Sequence, residues 1–148
     1  MQTNTEIAAI VLAAGSSTRM GRPKPLLTLA GRTLIEHIID LYRNAGIDAV
    51  LVVVAPESRR LRELLKAYGT DWVQNPHPER GMFSSVRTGV DALHPAPRGF
   101  FIHPVDIPFV SALTVRQLAS AFHFGRPVLY PVCGGRRGHP PLIGGSLI

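Results

Sequence analysis

The sequence predicts an α/β three-layer sandwich with a mostly parallel sheet, and three observations support that class. Uninterrupted apolar runs occupy residues 7–13 (IAAIVLA) and 49–55, the pattern of strands covered on both faces. Between such runs the apolar residues fall at helical spacing. Strand and helix patterns then alternate along the chain, so right-handed crossovers would place helices on both faces of the sheet.

The elements follow in order. After the first strand and a loop, Leu34, Ile35, Ile38, Ile39 and Leu41 recur at helical spacing over 33–44, with Thr33 as N-cap and Gly46 just past the end. Pro56 stops the second strand. Ser58 can cap a helix to residue 68, with Leu61, Leu64 and Leu65 on one face and Gly69 ending it. Residues 71–74 read as a short strand, 84–93 as a helix, 99–103 as a strand, 111–122 as a helix and 127–133 as another strand. No repeat, linker or low-complexity segment interrupts residues 1–148, so one domain is expected.

With 148 residues and 45% hydrophobic content, the chain can fill one core. Its longest apolar runs are less than half the roughly 20 residues of a bilayer-spanning helix, and the start MQTNTE is unlike a signal peptide. A cytoplasmic protein without a membrane partner is therefore expected. The one cysteine, Cys133, cannot form an internal disulfide and is expected to be a small buried apolar residue. A net charge of +6 points to anionic partners. The cations are dispersed, with only the pairs Arg59-Arg60 and Arg136-Arg137 and no interleaved aromatics, which disfavours nucleic acid.

The loop at 12–27, LAAGSSTRMGRPKPLL, carries the most information. Gly15 and Gly21 allow tight turns and close approach, while Ala13, Ala14, Ser16 and Ser17 leave room for a ligand. Backbone N–H groups of such a loop can cradle phosphate oxygens, and Arg19 and Lys24 can neutralise their charge. The spacing matches neither GxGxxG nor GxxxxGK[ST], which argues against a Rossmann dinucleotide site and a Walker loop.

Three later segments add polar groups at element ends. Asn75-Pro76 precedes Gly81-Met82-Phe83-Ser84-Ser85, where a helix start can attract an anion or a base edge. Asp106, in His103-Pro104-Val105-Asp106-Ile107-Pro108, stands at the carboxyl end of a strand, where its carboxylate suits Mg²⁺ and the prolines fix the turn. The plainer alternative is an Asp bonded to its own turn. His103 has no partner at ligand spacing and is expected to pack or bond locally. Gly135-Arg136-Arg137-Gly138-His139-Pro140 forms a short basic loop, which could equally be a solvated end.

Residues 12–24 resemble the signature LAAGxSxRMGxxK of the MobA-like nucleotidyltransferases of molybdenum-cofactor synthesis. The segments NPxxxxGMxxSVxxG, DxP and GHP are similar to later elements of that family. The resemblance implies a nucleotide-diphospho-sugar transferase-like fold in which Leu12, Ala13, Ala14, Gly15, Ser16, Arg19, Lys24, Asn75, Ser84 and Ser85 hold a nucleoside triphosphate. Asp106 would hold Mg²⁺, with Arg136 and His139 on the second substrate. Catalysis would rest on Arg19, Lys24 and Asp106, which neutralise charge while a substrate phosphate attacks the α-phosphorus and pyrophosphate leaves.

The LAAG form with Ala14 implies CTP over GTP, since guanylyl-transferring relatives usually show LAGG; cytidylyltransferases of isoprenoid precursor synthesis also begin LAAG. The run Pro23 to Leu27 is similar to the molybdenum-cofactor cytidylyltransferases, which implies transfer of CMP to a molybdopterin phosphate. Family members continue through a GDxGAR-like element and a further acid. The resemblance thus implies a C-terminally short chain, with an unpaired sheet edge near residues 142–148 that a homodimer or further residues would cover. The alternatives by class are a nucleotide-binding module without turnover, a nucleotidyltransferase for another phosphorylated substrate, and a nucleic-acid-binding domain.

Overall fold

The computed structural model describes residues 6–15, 21–123 and 127–147. Its strands are β1 (Ile7–Ala13), β2 (Thr28–Leu29), β3 (Arg32–Thr33), β4 (Val50–Val54), β5 (Asp71–Gln74), β6 (Gly99–Pro104), β7 (Val128–Leu129), β8 (Val132–Cys133), β9 (Arg136–Arg137) and β10 (Leu142–Gly144). The α-helices are α1 (Leu34–Asn44), α2 (Arg59–Ala67), α3 (Met82–Ala92) and α4 (Ala112–Ala121).

The main sheet has the order β5-β4-β1-β6-β10-β7. Strands β5, β4, β1 and β6 are parallel, and β10 enters antiparallel between β6 and β7. The expected three-layer arrangement with a mostly parallel sheet is therefore present. Alternate residues of β1 face opposite layers. Ala9, Val11 and Ala13 join Ile35, Ile38, Ile39 and Tyr42 of α1, Leu61 and Leu65 of α2, and Val115 and Leu118 of α4. Ala8, Ile10 and Leu12 face Val86 and Val90 of α3. Burial on both faces explains why β1 and β4 have no polar alternation.

Local signals set the helix ends. Thr33 caps α1 in a reciprocal capping box: its hydroxyl accepts from the Glu36 N–H, and the Glu36 carboxylate accepts from the Thr33 N–H at 2.7 Å. Ser111 caps α4 through the Thr114 N–H. Ser58 precedes α2 but makes no side-chain cap bond. On the opposite layer α3 lies close to the sheet at Gly89, where a Cβ would stand 2.6 Å from Ile10 Cγ2 and 3.0 Å from Val53 Cγ2. Only glycine permits that approach.

Three expectations are corrected. Residues 142–144 are no open edge: Leu142 pairs with Phe101 and Leu129 and is fully buried. With only three residues, β10 is too short to show a period in sequence. The strand read over 127–133 divides into β7 and β8 around Tyr130 and Pro131, because proline has no N–H to give a ladder. Cys133 is exposed, since β8 and β9 form a separate hairpin whose residues all face solvent. That hairpin turns through Gly134 and Gly135, both at positive φ, as a two-residue turn requires.

Candidate active site

The direction of crossover changes at β1: the chain passes to β4 and β5 on one side and then returns to β6 on the other. Beyond the carboxyl ends of β1 and β6 lies a cleft of about 280 Å³, the position at which open α/β sheets bind ligands. Leu12, Ala13, Ala14 and Gly15 line it from the end of β1, and Pro104, Val105 and Asp106 from the adjacent end of β6. Lys24 and Pro25 border it from the following loop, with Pro78, Gly81, Met82 and Ser85 opposite.

Local geometry fixes these groups. The Val105 N–H donates to the Leu12 carbonyl at 3.1 Å, and the Ile107 N–H closes a turn onto the Pro104 carbonyl at 3.2 Å. Asp106 rides at the tip of that turn. Lys24 begins a single 3₁₀ turn, Lys24–Leu26, whose Pro25 is buried. The chain then returns through the β2–β3 hairpin, which Arg32 ties to Asp40 of α1 at 2.5 Å and to the Tyr68 hydroxyl. Lys24 Nζ thereby reaches within 3.6 Å of Asp106 Oδ2, with side-chain exposures of 41% and 56%.

The N-terminus of α3 also borders the cleft. It has no side-chain cap and no acidic residue in its first turn, so its dipole faces the cleft without an opposing charge of its own. Gly81 enters this helix at φ 89°, a conformation that favours glycine. The buried Asn75 amide donates to Ser84 Oγ at 2.8 Å and Ser85 Oγ at 3.0 Å, while its carbonyl accepts from the His77 N–H at 2.9 Å.

The residues singled out by sequence divide accordingly. Leu12, Ala13, Ala14, Gly15, Lys24, Ser85 and Asp106 line one cleft. Asn75 and Ser84 border a neighbouring depression with Arg80 and Arg87 and hold Ser85 from behind. Arg136 and His139 line a third concavity of about 560 Å³, walled by Phe109, Val110 and Val132. The segment that carries Asp106 continues directly into Phe109 and Val110, so it borders both spaces. Ser16 and Arg19 lie outside the described residues. Pro78 and Met82 were not foreseen as lining; Met82 stood inside the GMxxSV segment but had no chemistry of its own to mark it.

Asp106 is the one acidic residue on the cleft wall among the described residues, and no group of three or more His, Cys, Asp or Glu converges among them. A single open carboxylate fits Mg²⁺, a hard ion that keeps several waters and is commonly held by one or two carboxylates together with substrate phosphates. It does not fit a closed all-protein cage.

His103 behaves as expected for a local structural group. It is fully buried, bonds the Tyr42 hydroxyl at 2.9 Å and the Ile107 carbonyl at 2.7 Å, and burial pushes its imidazole below the ordinary range.

This combination of fold and cleft defines an α/β protein with a charged site at the carboxyl end of its sheet. The model of the MobA-like NTP transferase domain matches residues 9–148, and the chain belongs to that family. Bifunctional protein GlmU of Psychrobacter is 29% identical over 80% of the chain and 26% of its own length. A probable molybdenum cofactor guanylyltransferase of Bacillus cytotoxicus is 28% identical over 93% of the chain and 67% of its own length. A 2-C-methyl-D-erythritol 4-phosphate cytidylyltransferase of Streptomyces coelicolor is 33% identical over 84% and 48%. The chain thus spans from about a quarter to two thirds of these relatives. The crystal structure of Rv0371c from Mycobacterium tuberculosis is similar with a TM-score of 0.82 at 27% identity, covering 97% of this chain and 74% of that one; a second structure of that protein is a complex with manganese.

Proposed function

We propose that the chain is a Mg²⁺-dependent nucleotidyltransferase that takes CTP in the β1–β6 cleft, transfers CMP to a phosphate of molybdopterin cofactor and releases pyrophosphate. The observation that carries this reading is the meeting of Lys24 and Asp106 beside the Ala13–Gly15 backbone, a cation and a carboxylate at the mouth of one cleft. The family supports nucleotidyl transfer, the manganese complex of a similar structure supports a divalent ion, and Ala14 in the LAAG segment supports CTP.

In this reading the Gly15 backbone and the N-terminus of α3 bind phosphate oxygens, and Lys24 donates to the departing pyrophosphate. Arg19, by its place in the signature, adds a second cation. Asp106 holds Mg²⁺, which when bound supplies charge neutralisation and orientation at phosphate oxygens. No side-chain nucleophile is needed, because the acceptor phosphate attacks the α-phosphorus as pyrophosphate leaves in line; orientation by the cleft lowers the barrier. The concavity with Arg136 and His139 would receive the acceptor: its apolar walls suit a flat ring and its cation suits a phosphate. No helix among the described residues is long and apolar enough to cross a membrane.

The test is acceptor-dependent pyrophosphate release measured with CTP and GTP side by side. Faster release with CTP supports the proposal. Faster release with GTP assigns the other nucleotide, and binding without release from either identifies a nucleotide-binding module.

A further inference from the structure

We propose that His103, oriented by Tyr42, is a positioning residue that fixes the Asp106 carboxylate for metal binding. This rests on the reading of Asp106 as the metal-holding group.

The pair stands out because it is polar where its surroundings are not. Tyr42 and His103 are both fully buried, packed edge to face with ring centroids 5.6 Å apart, and Tyr42 also packs against Phe101 at 5.5 Å. A hydroxyl or an imidazole buried without a partner is destabilising. Here each has one.

The direction of the bonds follows from chemistry. The Ile107 carbonyl can only accept, so His103 Nε2 carries the proton and donates across 2.7 Å. Burial keeps the ring neutral, so Nδ1 has only a lone pair and the Tyr42 hydroxyl must donate to it across 2.9 Å. The Ile107 carbonyl thus selects the tautomer, and Tyr42 satisfies the bare Nδ1 and fixes the ring in the orientation that holds Ile107.

What His103 holds is the far side of the turn that carries Asp106. The Val105 N–H pins its near side to the Leu12 carbonyl, and the Ile107 N–H closes it on Pro104. The imidazole bond to the Ile107 carbonyl ties the turn's exit to the buried pair. Without it the turn would lose its buried side-chain anchor, and the carboxylate would shift relative to Gly15 and Lys24. An ordinary core histidine would affect only stability.

Two near-isosteric replacements separate these roles. In His103→Gln the amide nitrogen stands close to the place of Nε2 and can still donate to the Ile107 carbonyl; in His103→Asn it cannot reach. Both replacements remove the ring and lower stability. The measurement is CTP affinity by calorimetry with and without Mg²⁺, with folding checked by circular dichroism and a destabilised core variant, Ile39→Val, as control.

His103→Asn and Tyr42→Phe should lower the Mg²⁺-dependent gain in CTP affinity about tenfold, the usual scale for a residue that orients a metal ligand. His103→Gln should restore most of that gain, and Ile39→Val should leave it unchanged. A full gain in folded His103→Asn or Tyr42→Phe, or losses that track stability alone, would overturn the proposal. The imidazole nitrogen shifts of the wild type give a variant-free check: an Nε2–H tautomer supports the relay, and an Nδ1–H tautomer overturns it. Asp106→Asn, run in parallel, tests the underlying reading, since an undiminished gain there removes the metal role of Asp106 and the proposal with it.

Discussion

Lys24 and Asp106 line the same cleft and approach to 3.6 Å between Nζ and Oδ2. One sits on the loop after β1, the other on the turn after β6, and the hairpin anchored by Arg32 and the turn held by His103 bring them together. In the proposed function the first engages phosphate and the second a metal ion, so either ligand competes with the pair itself. Binding of one should thereby release the partner for the other.

Lys24→Ala should therefore have two effects of opposite sign. CTP affinity should fall by about 1.5–3 kcal/mol for the lost charge-assisted contact. Mg²⁺ affinity of the nucleotide-free protein should rise, by about two- to fivefold, since a half-exposed ion pair is worth up to about 1 kcal/mol. Calorimetric titrations of each ligand alone would check both signs; unchanged CTP affinity would remove Lys24 from the site.

Asp106→Asn keeps the shape of the side chain and removes its charge. Metal-free CTP binding should persist while the Mg²⁺-dependent increment and turnover disappear. Superimposable Mg²⁺ titrations of the wild type and the variant would leave Asp106 as a turn residue only.

Gly89→Ala tests the packing of α3 on the sheet. A Cβ would meet Ile10 Cγ2 at 2.6 Å, so the helix or the strand must shift, at a cost of about 1–3 kcal/mol. The midpoint of denaturant unfolding should fall accordingly. Because Met82 and Ser85 belong to the same helix, CTP affinity should weaken as well.

The capping box of α1 gives a pH signature. The Thr33 hydroxyl, and then the Thr33 N–H, hold the Glu36 carboxyl below its ordinary value of 4.5. A carboxyl depressed in the folded state stabilises the protein above its unfolded value, and that contribution is lost as pH falls through the folded value. Thr33→Ala should cost about 1 kcal/mol near neutrality. The stability gap between wild type and variant should narrow on acidification below about 4.5. A gap that stays constant in acid would contradict the assignment.

Much of the scaffold was legible in sequence because its signals are local. The runs at β1 and β4 are apolar throughout since both faces are covered, and Thr33 with Glu36 announces a helix start at short range. The two-residue strands β2, β3, β8 and β9 gave no such signal, and neither did β10, whose place is set by partners distant in the chain. The cleft was legible in part. Gly15, Lys24 and Asp106 could be chosen by chemistry, yet their meeting depends on the order of strands. Asn75 bears an amide that sequence assigns to a ligand, and its bonds to Ser84 and Ser85 become visible only in the fold. Tyr42 fell on the apolar face of a helix, where nothing distinguishes a core tyrosine from one that orients a histidine.

Nucleotide binding in the β1–β6 cleft can be followed residue by residue by titrating the isotopically labelled protein with CTP and Mg²⁺ and recording backbone amide shifts. Saturable changes are expected at Ala13, Ala14, Gly15, Lys24, Met82, Ser85, Val105 and Asp106, with Cys133, Arg136 and His139 unmoved until an acceptor is added. Changes centred on Arg136 and His139, with Gly15 and Asp106 silent, would contradict it.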